Sequence, residues 1–252
     1  MNSHRIYEIK KDIDTDAVRR FYEKRAKLLH DSVCERNISR YSTVTLNEEN
    51  AERWDCMEKK MILPLLDIRA TDSVLDIGCG VGRWADSIIP LCGRYVGTDF
   101  SQEMIKTCKA SFGGPDYAGK DPSFLNLSFQ QLLDSDEVKG TFDVVLIAGV
   151  SMYINDDDLR QGFEKMADLL SSGGRLYLWE SIGVGRRLTL DEIWSEALNS
   201  NYSAVYRTCE EYLTLLQPVL SISDIVDQRV VSEFDHGKNS DTSRWYLVLR
   251  KR

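Results

Sequence analysis

The 252-residue sequence has little of several features that mark particular protein classes. It contains three histidines, and its six cysteines are scattered without a C-x-x-C pair, which argues against a zinc site and against a disulfide framework. No apolar run approaches the ~20 residues that a membrane-spanning helix needs. The N-terminus has no apolar signal-peptide region. We therefore expect a cytoplasmic protein with no metal and no membrane partner.

Positive charge is also scarce, because 32 Lys and Arg residues face 40 Asp and Glu residues, for a net charge of −8. The basic residues do not form the stripe with which proteins contact nucleic-acid phosphates. DNA, RNA and anionic membranes are therefore not expected as partners. The hydrophobic content of 42% is enough for the core of one α/β domain.

The most informative stretch is an apolar run that leads into closely spaced glycines. The run at 73–77 contains Asp76, and from Gly78 glycine recurs at every second position. Glycine lets a strand-to-helix turn adopt positive φ and lets a ligand approach the backbone. Asp99 closes the next apolar run, where an acid can accept hydrogen bonds from both ribose hydroxyls. The pattern predicts a nucleoside site at the carboxyl edge of a parallel sheet.

Two kinds of nucleoside fit the glycines alone. Gly80, Gly82 and Ala85 satisfy the looser G-x-G-x-x-A fingerprint of dinucleotide-binding proteins. Asp76 favours a different ligand, because a carboxylate repels a pyrophosphate and attracts the ammonium group of an amino acid. With Asp76 before the glycines and Asp99 after them, the stretch resembles the first motif, [DE]-x-G-x-G-x-G, of class I S-adenosylmethionine (SAM)-dependent methyltransferases. A nicotinamide-dependent oxidoreductase is the alternative.

Apolar runs alternate with amphipathic stretches along the chain, which predicts an α/β fold with a mostly parallel sheet. Strands are expected at 73–77, 94–98, 125–130, 142–148 and 175–180. Helices are expected at 83–91, 102–111 and 155–171, and an antiparallel hairpin pairs 222–231 with 245–250. The resemblance implies a Rossmann-like seven-stranded mostly parallel sheet with helices on both faces and an antiparallel last strand.

We expect one methyltransferase domain over residues 1–252. Helices at 16–30 and 52–66 belong to segment 1–66, which the resemblance implies is a helical lid over the cofactor. The apolar face of the second helix is predicted to carry Trp54, Met57, Met61 and Leu65. The SAM-binding core is expected at 67–180, an irregular substrate-side insertion at 181–207, and a helix with the hairpin at 208–252.

The resemblance implies SAM as the cofactor and assigns its amino-acid and ribose parts. Asp76 would reach the methionine ammonium group, directly or through water. The backbone of Gly78, Cys79 and Gly80 would contact the methionine portion. Asp99 would hold the ribose diol.

Other cofactor contacts have alternatives. Phe100 and Met104 would wall the adenine, although core packing at a helix start explains them equally well. The adenine amino group would meet Gln131 or Leu132, where relatives carry an acid. Further cofactor contacts are expected from the first helix, which would close over the methionine carboxylate unless this face is simply solvated: Tyr22 and Arg25.

Three residues are candidates for catalysis. After the fourth strand, many relatives carry V-L-H-H-[LV], and here Met152 and Tyr153 replace the histidines. This change removes the most obvious general base. Tyr153 would orient a substrate, unless it packs under the cofactor. Glu180 at a strand end and His236 in the late hairpin are the other candidates.

Residues of the predicted insertion are candidates for substrate binding. Tyr202 and Tyr206 would contact the substrate, and Arg207 would pair with a substrate phosphate or carboxylate. The expected function is methyl transfer from SAM to an O or N of a small or carrier-linked molecule, such as a sugar or a natural-product intermediate. Because the histidine is missing, a non-catalytic SAM-binding partner protein is a further alternative.

Overall fold

The structure is a computed structural model that describes residues 5–30, 48–114, 117, 119–120, 122–195, 200–232 and 241–252. Within these ranges, no helix combines the length and the apolar character needed to cross a membrane. In chain order the elements are β1 (Arg5–Tyr7), α1 (Thr15–His30), α2 (Glu48–Leu66), β2 (Ser73–Ile77), α3 (Ala85–Ile88), β3 (Arg94–Asp99), α4 (Gln102–Phe112), β4 (Ser123–Asn126), α5 (Phe129–Leu132), β5 (Phe142–Ala148), a 3₁₀ turn (Ser151–Tyr153), α6 (Asp156–Leu169), β6 (Leu170–Gly183), β7 (Leu188–Ser195), β8 (Ser200–Tyr206), α7 (Cys209–Leu215), α8 (Gln217–Leu220), β9 (Ser223–Val230) and β10 (Thr242–Lys251).

A seven-stranded sheet forms the core, in the order β4-β3-β2-β5-β6-β10-β9. Strands β2 to β6 run parallel to one another, and β10 is antiparallel to both β6 and β9. Alternate residues of β5 face opposite sides: Val145 packs with α6, α7 and α8, whereas Val144 packs with α2, α3 and α4. Burial on both faces explains why β5 is apolar. The predicted fold class is confirmed.

Residues 181–207 are not the irregular insertion that the sequence suggested. They contain the end of β6 and the strands β7 and β8, which form an antiparallel three-stranded sheet with β1. Leu188 and Leu190 on β7 and Tyr202 and Ala204 on β8 are buried against Met152. These apolar positions alternate at the strand period of two, so they cover one face of the small sheet.

The third predicted strand ends earlier than expected. Strand β4 stops at Asn126, and the helix α5 begins after Ser128. The Ser128 side chain accepts a hydrogen bond from the Gln131 amide, and the Gln131 side chain accepts one from the Ser128 amide. This reciprocal pair is a capping box, which starts a helix where the apolar pattern alone suggested more strand.

The buried face of α2 differs from the predicted one. Trp54, Met57, Met61 and Leu65 are only partly buried. The fully buried face is shifted by one position along the helix and includes two carboxylates. Its members follow the helical spacing of three and four residues: Ala51, Asp55, Glu58, Ile62 and Leu66.

Candidate functional site

A cavity of about 750 Å³ lies at the carboxyl ends of β2, β3, β5 and β6. Chain connections run from β2 to β3 on one side and reach β5 on the other, so the cavity lies at the point where the strand order reverses. Open α/β sheets bind ligands at this point, and the volume is within the ~300–1,000 Å³ typical of small-molecule sites. Residues of helix α1 and of the small sheet (β1, β7 and β8) also line the cavity.

The glycine loop after β2 forms part of the cavity floor. Gly78 has φ +69°, and a Cβ there would overlap the side chain of Val150. Gly80 has φ +58°, and a Cβ there would meet no atom within 4 Å, so its backbone faces open space. The loop therefore presents bare backbone to a ligand.

Asp99 lies at the end of β3 beside this loop and lines the cavity. Its carboxylate accepts hydrogen bonds from the Gly80 amide at 3.0 Å and from the Ser101 amide at 2.8 Å. Ser101 also caps α4 by accepting a hydrogen bond from the Met104 amide. Burial raises the pKa of Asp99 to about 6, although both amides favour the charged form. Each carboxylate oxygen thus accepts from one backbone amide while the residue contributes to the cavity lining.

Asp76 is the second carboxylate at the cavity floor. It accepts a hydrogen bond of 2.6 Å from the Tyr95 hydroxyl and is 2% exposed. Burial raises its pKa to about 6, although the Tyr95 hydroxyl and the positive charge of Arg83 act in the opposite direction. A cationic ligand group in the cavity would stabilise the ionised form of Asp76.

A buried charge cluster, which the sequence analysis missed, borders the same end of the cavity. Arg83 donates to Asp55 at 2.9 Å and to both oxygens of Glu58 at 2.9 and 3.0 Å. Tyr177 also donates to Glu58, at 2.8 Å. Trp84 contributes to the cavity lining, and no described group accepts a hydrogen bond from its buried indole N–H. The one signal in the sequence was the position of Arg83 and Trp84 directly after the glycine run.

Aromatic and apolar side chains form the cavity wall between the glycine loop and α1. The ring of Tyr22 packs edge-on against Tyr153 at 5.3 Å and against Phe100 at 6.0 Å. Met104 is buried and lines the same wall. Arg25 does not line the cavity; the arginine of α1 that does is Arg19, whose guanidinium lies 5.8 Å from the Phe100 ring centre.

A chain of tyrosine hydroxyls runs along the cavity wall between the 3₁₀ turn and β8. Tyr153 and Tyr202 share a 2.9 Å hydrogen bond, and Tyr206 donates to Tyr202 at 3.3 Å. Burial raises the pKa of Tyr153 and Tyr202 well above the usual range, and it also raises the pKa of Tyr206. The three hydroxyls are therefore protonated at neutral pH and act as hydrogen-bonding groups, not as bases.

Gln131 and Leu132 do not reach the cavity, contrary to the prediction. Gln131 is occupied by the capping box at the start of α5, and Leu132 is 1% exposed in the core beneath it. The residues that line the cavity here are those at the start of the helix, where the chain turns past the end of β4: Leu127, Ser128, Phe129 and Gln130.

Glu180 lies outside the cavity. Along β6, side chains alternate between faces, so Ser181 lines the cavity while Glu180 is fully buried on the other side. One carboxylate oxygen of Glu180 accepts hydrogen bonds from the amides of Val150 and Ser151, at 3.1 and 2.8 Å. Burial raises its pKa to about 7, although these amides favour the charged form. Glu180 therefore holds the 3₁₀ turn that carries Tyr153.

Arg207 is a structural residue, not a substrate contact. It is fully buried and donates to Asp156 at 2.8 Å and to the carbonyl oxygens of Ser151 and Ile154 at 2.8 and 2.6 Å. Asp156 is also bound by both terminal nitrogens of Arg187, each at 3.0 Å. The guanidinium of Arg207 therefore makes its hydrogen bonds and its ion pair inside the protein. His236, the remaining catalytic candidate, lies outside the described residues.

Comparison with known proteins identifies the domain that carries this site. Residues 75–176, which contain the glycine loop and strands β2 to β6 in part, match the family model described as "Methyltransferase domain". This part of the chain is therefore a methyltransferase domain. The predicted resemblance is confirmed, and the oxidoreductase alternative is set aside.

The methyltransferase domain has curated and structural relatives with different activities. Phosphoethanolamine N-methyltransferase 1 of Triticum aestivum is 24% identical over 66% of this chain and 33% of its own length. The chain spans about a third or less of the first curated relatives it matches. Magnesium protoporphyrin IX methyltransferase of Synechocystis, solved with bound SAM, has a TM-score of 0.62 and 14% identity over 97% of this chain and 100% of that one. The [4+2]-cyclase SpnF has a TM-score of 0.65 and 14% identity, over 96% and 98%.

Proposed function

We propose that this protein transfers the methyl group of SAM to a nitrogen or oxygen of a small or carrier-linked molecule. The observation that carries the proposal is the pair of carboxylates, Asp76 and Asp99, on either side of a glycine loop that leaves bare backbone facing a cavity. This set of groups fits SAM, because it offers an acid to an ammonium group, an acid to a diol, and backbone between them.

The remaining groups fit the parts of SAM that the two acids leave over. The indole N–H of Trp84, which has no partner among the described residues, is available to the methionine carboxylate. The adenine would lie between Phe100, Met104 and the start of α5. We propose that Ser128 and Gln130 replace Gln131 and Leu132 as the polar contacts there, because they line the cavity.

When bound, SAM supplies an electrophilic methyl group and a good leaving group. The chain's own residues then have to hold the acceptor in line with that methyl group, which is worth ~7–11 kcal/mol of the barrier in well-oriented reactions. We assign this positioning to Tyr22, Tyr153 and Tyr202, which line the cavity and contact one another. The protonated tyrosines would hydrogen-bond the methyl acceptor. The proton that the methylated O or N loses would pass to solvent or to another group of the acceptor molecule.

Two experiments test the proposed function in sequence. Calorimetry with SAM, S-adenosylhomocysteine and NAD should show binding of the first two and none of the third. Incubation with methyl-labelled SAM and fractionated metabolites should then transfer label to a small molecule. Binding without transfer to any fraction would favour a SAM-binding protein with another activity. The similarity to a cyclase shows that this fold does not itself determine the chemistry.

A further inference from the structure

The cavity continues past the tyrosine hydroxyls to a polar end between the two sheets. This end, which we call the distal corner, is formed where β6 ends and β10 begins, beside β1 and β8. Its polar lining residues are Arg5, Ser181, Tyr206, Thr242 and Arg244.

Arg244 differs from Arg5 and Arg83 at the cavity in its charge balance, and it differs from Arg19, which is exposed to water, in its burial. Arg83 pairs with two carboxylates and Arg5 pairs with Asp241 at 3.0 Å. Half-buried Arg244 donates to the hydroxyl of Ser181, its direct cross-strand neighbour, and forms no ion pair with any carboxylate in the described part of the chain. A guanidinium that is partly removed from water without a counter-charge favours an anionic partner.

Hydroxyl groups line the distal corner together with this guanidinium. Ser181 is 3% exposed and lies directly beside it, and Tyr206 is close enough for the positive charges of Arg244 and Arg5 to oppose the rise that burial causes in its pKa. Thr242 lines the same corner. The chain carries a net charge of −8, so this positive corner runs against the overall charge and needs a local reason.

We propose that the distal corner binds an anionic group of the methyl acceptor, a phosphate or a carboxylate, through Arg244 with Ser181 and Tyr206. A planar guanidinium with adjacent hydroxyls matches the oxygen fork of either anion. The tyrosine hydroxyl chain runs from this corner to Tyr153 near the glycine loop, so an acceptor anchored here would extend its reactive end toward the cofactor. The inference rests on the proposed function and assigns to Arg244 the role that the sequence suggested for Arg207.

Binding of matched probes tests the corner without knowledge of the natural acceptor. Phenyl phosphate, benzoate and phenol share a ring and differ in the anionic group. We expect saturable binding of phenyl phosphate or benzoate, followed by tyrosine and tryptophan fluorescence, at an affinity at least about tenfold above that of phenol, which corresponds to ~1.4 kcal/mol. The stronger of the two anions identifies the natural group. Equal binding of all three would overturn the proposal.

Two variants separate the corner from a general effect of charge. Arg244→Gln should weaken binding of the anionic probe about tenfold or more and leave phenol unchanged. Arg250→Gln is the matched control, because Arg250 lies exposed at the other end of β10 and loses the same charge. Anion binding that is the same in both variants would contradict the assignment. Ser181→Ala, a smaller change at the same corner, should weaken the anionic probe by a few-fold.

The fold and the cofactor assignment are controlled separately. Each variant is first titrated with S-adenosylhomocysteine, and an unchanged affinity shows that the variant is folded. The probes are then titrated both with and without S-adenosylhomocysteine. Failure of S-adenosylhomocysteine to bind wild-type protein would refute the proposed function, whereas failure of the anionic probes alone would refute only the distal corner.

Discussion

At the scale of single residues, we propose that Asp76 serves ligand binding and not stability. Its carboxylate is buried against one hydroxyl, and burial raises its pKa to about 6. Above that pH the ligand-free protein holds an ionised carboxylate with little compensation, which costs free energy of folding. A cofactor ammonium group would supply the missing charge.

Asp76→Asn should therefore separate stability from binding. At pH 7.5 we expect the ligand-free variant to gain about 1–3 kcal/mol of stability, because the shifted ionisation is removed and an amide oxygen can still accept from Tyr95. Affinity for S-adenosylhomocysteine should fall about tenfold or more. Urea unfolding and calorimetry measure the two effects. A variant that binds as tightly as wild type would contradict the ammonium role.

Arg207 gives the opposite prediction. Because Arg207→Met leaves Asp156 with one arginine fewer and takes a donor from the carbonyl oxygens of Ser151 and Ile154, we expect a loss of about 3–5 kcal/mol of stability. Arg160→Met, which removes an exposed pair with Asp157, should change stability by less than ~1 kcal/mol. Urea denaturation of both variants makes the comparison. Unchanged stability with a raised KM would restore the substrate role.

At the scale of elements, the 3₁₀ turn at 151–153 connects the core to the cavity. Glu180 accepts hydrogen bonds from the Ser151 amide and from the Val150 amide just before the turn. Arg207 donates to the carbonyl oxygen of Ser151 and to that of Ile154 just after the turn. Val150, just before the turn, packs on Gly78 of the glycine loop. The turn therefore couples the position of Tyr153 to the shape of the glycine loop.

Two substitutions of Glu180 distinguish this positioning role from catalysis. Glu180→Gln keeps an oxygen for both amides, so methyl transfer and S-adenosylhomocysteine affinity should remain within about twofold of wild type. Glu180→Ala leaves both amides without an acceptor and should cost ~1–3 kcal/mol of stability together with cofactor affinity. If Glu180 were a general base, the glutamine variant would instead lose ~10²–10⁴-fold in rate.

Element boundaries were predictable where a local signal decides them. The helix expected at 102–111 starts where Ser101 caps it, and α7 starts at the Thr208 capping box, since each capping side chain and the amide it caps are neighbours in sequence. The small sheet was missed because its pairing depends on β1, far away in sequence. The buried face of α2 was missed because two of its members are carboxylates, and their partner Arg83 lies on another element.

At the scale of the whole molecule, the buried acids set the pH dependence of stability. Asp76, Asp99 and Glu180 have pKa values raised to about 6, 6 and 7, so the folded protein binds more protons than the unfolded chain. Stability is then fully present below the ordinary pKa values of these acids and is lost as pH rises through about 7.

We expect the unfolding free energy of the ligand-free protein to fall between pH 5 and pH 7.5. Saturating S-adenosylhomocysteine should reduce this fall, because its ammonium group favours ionised Asp76 and its affinity therefore rises with pH through about 6. Urea titrations at pH 5, 6 and 7.5, with and without S-adenosylhomocysteine, give the comparison. A stability that increases over this window would show that the acids are ionised at no cost.

The residues proposed to bind SAM could be predicted from the sequence, whereas those proposed to bind the methyl acceptor could not. Asp76, the glycines and Asp99 lie within one β-α-β unit, so their spacing in sequence fixes their spacing in the fold. The distal corner brings together β1, β6, β8 and β10. No local sequence pattern shows that Arg244 has no ion pair among the described residues. Arg207 has the same chemistry in the sequence but lies in the core.

The most direct test of the central claim compares two ligands on Asp99→Ala. The claim is that Asp99 holds the ribose diol of SAM. Calorimetry with S-adenosylhomocysteine should show a loss of about tenfold or more relative to wild type. The 2′,3′-dideoxy analogue of S-adenosylhomocysteine should bind the wild type and the variant weakly and nearly equally, because it lacks the hydroxyls that would donate hydrogen bonds to Asp99. An equal loss for both ligands would contradict the ribose assignment and leave Asp99 only as a support for Gly80 and Ser101.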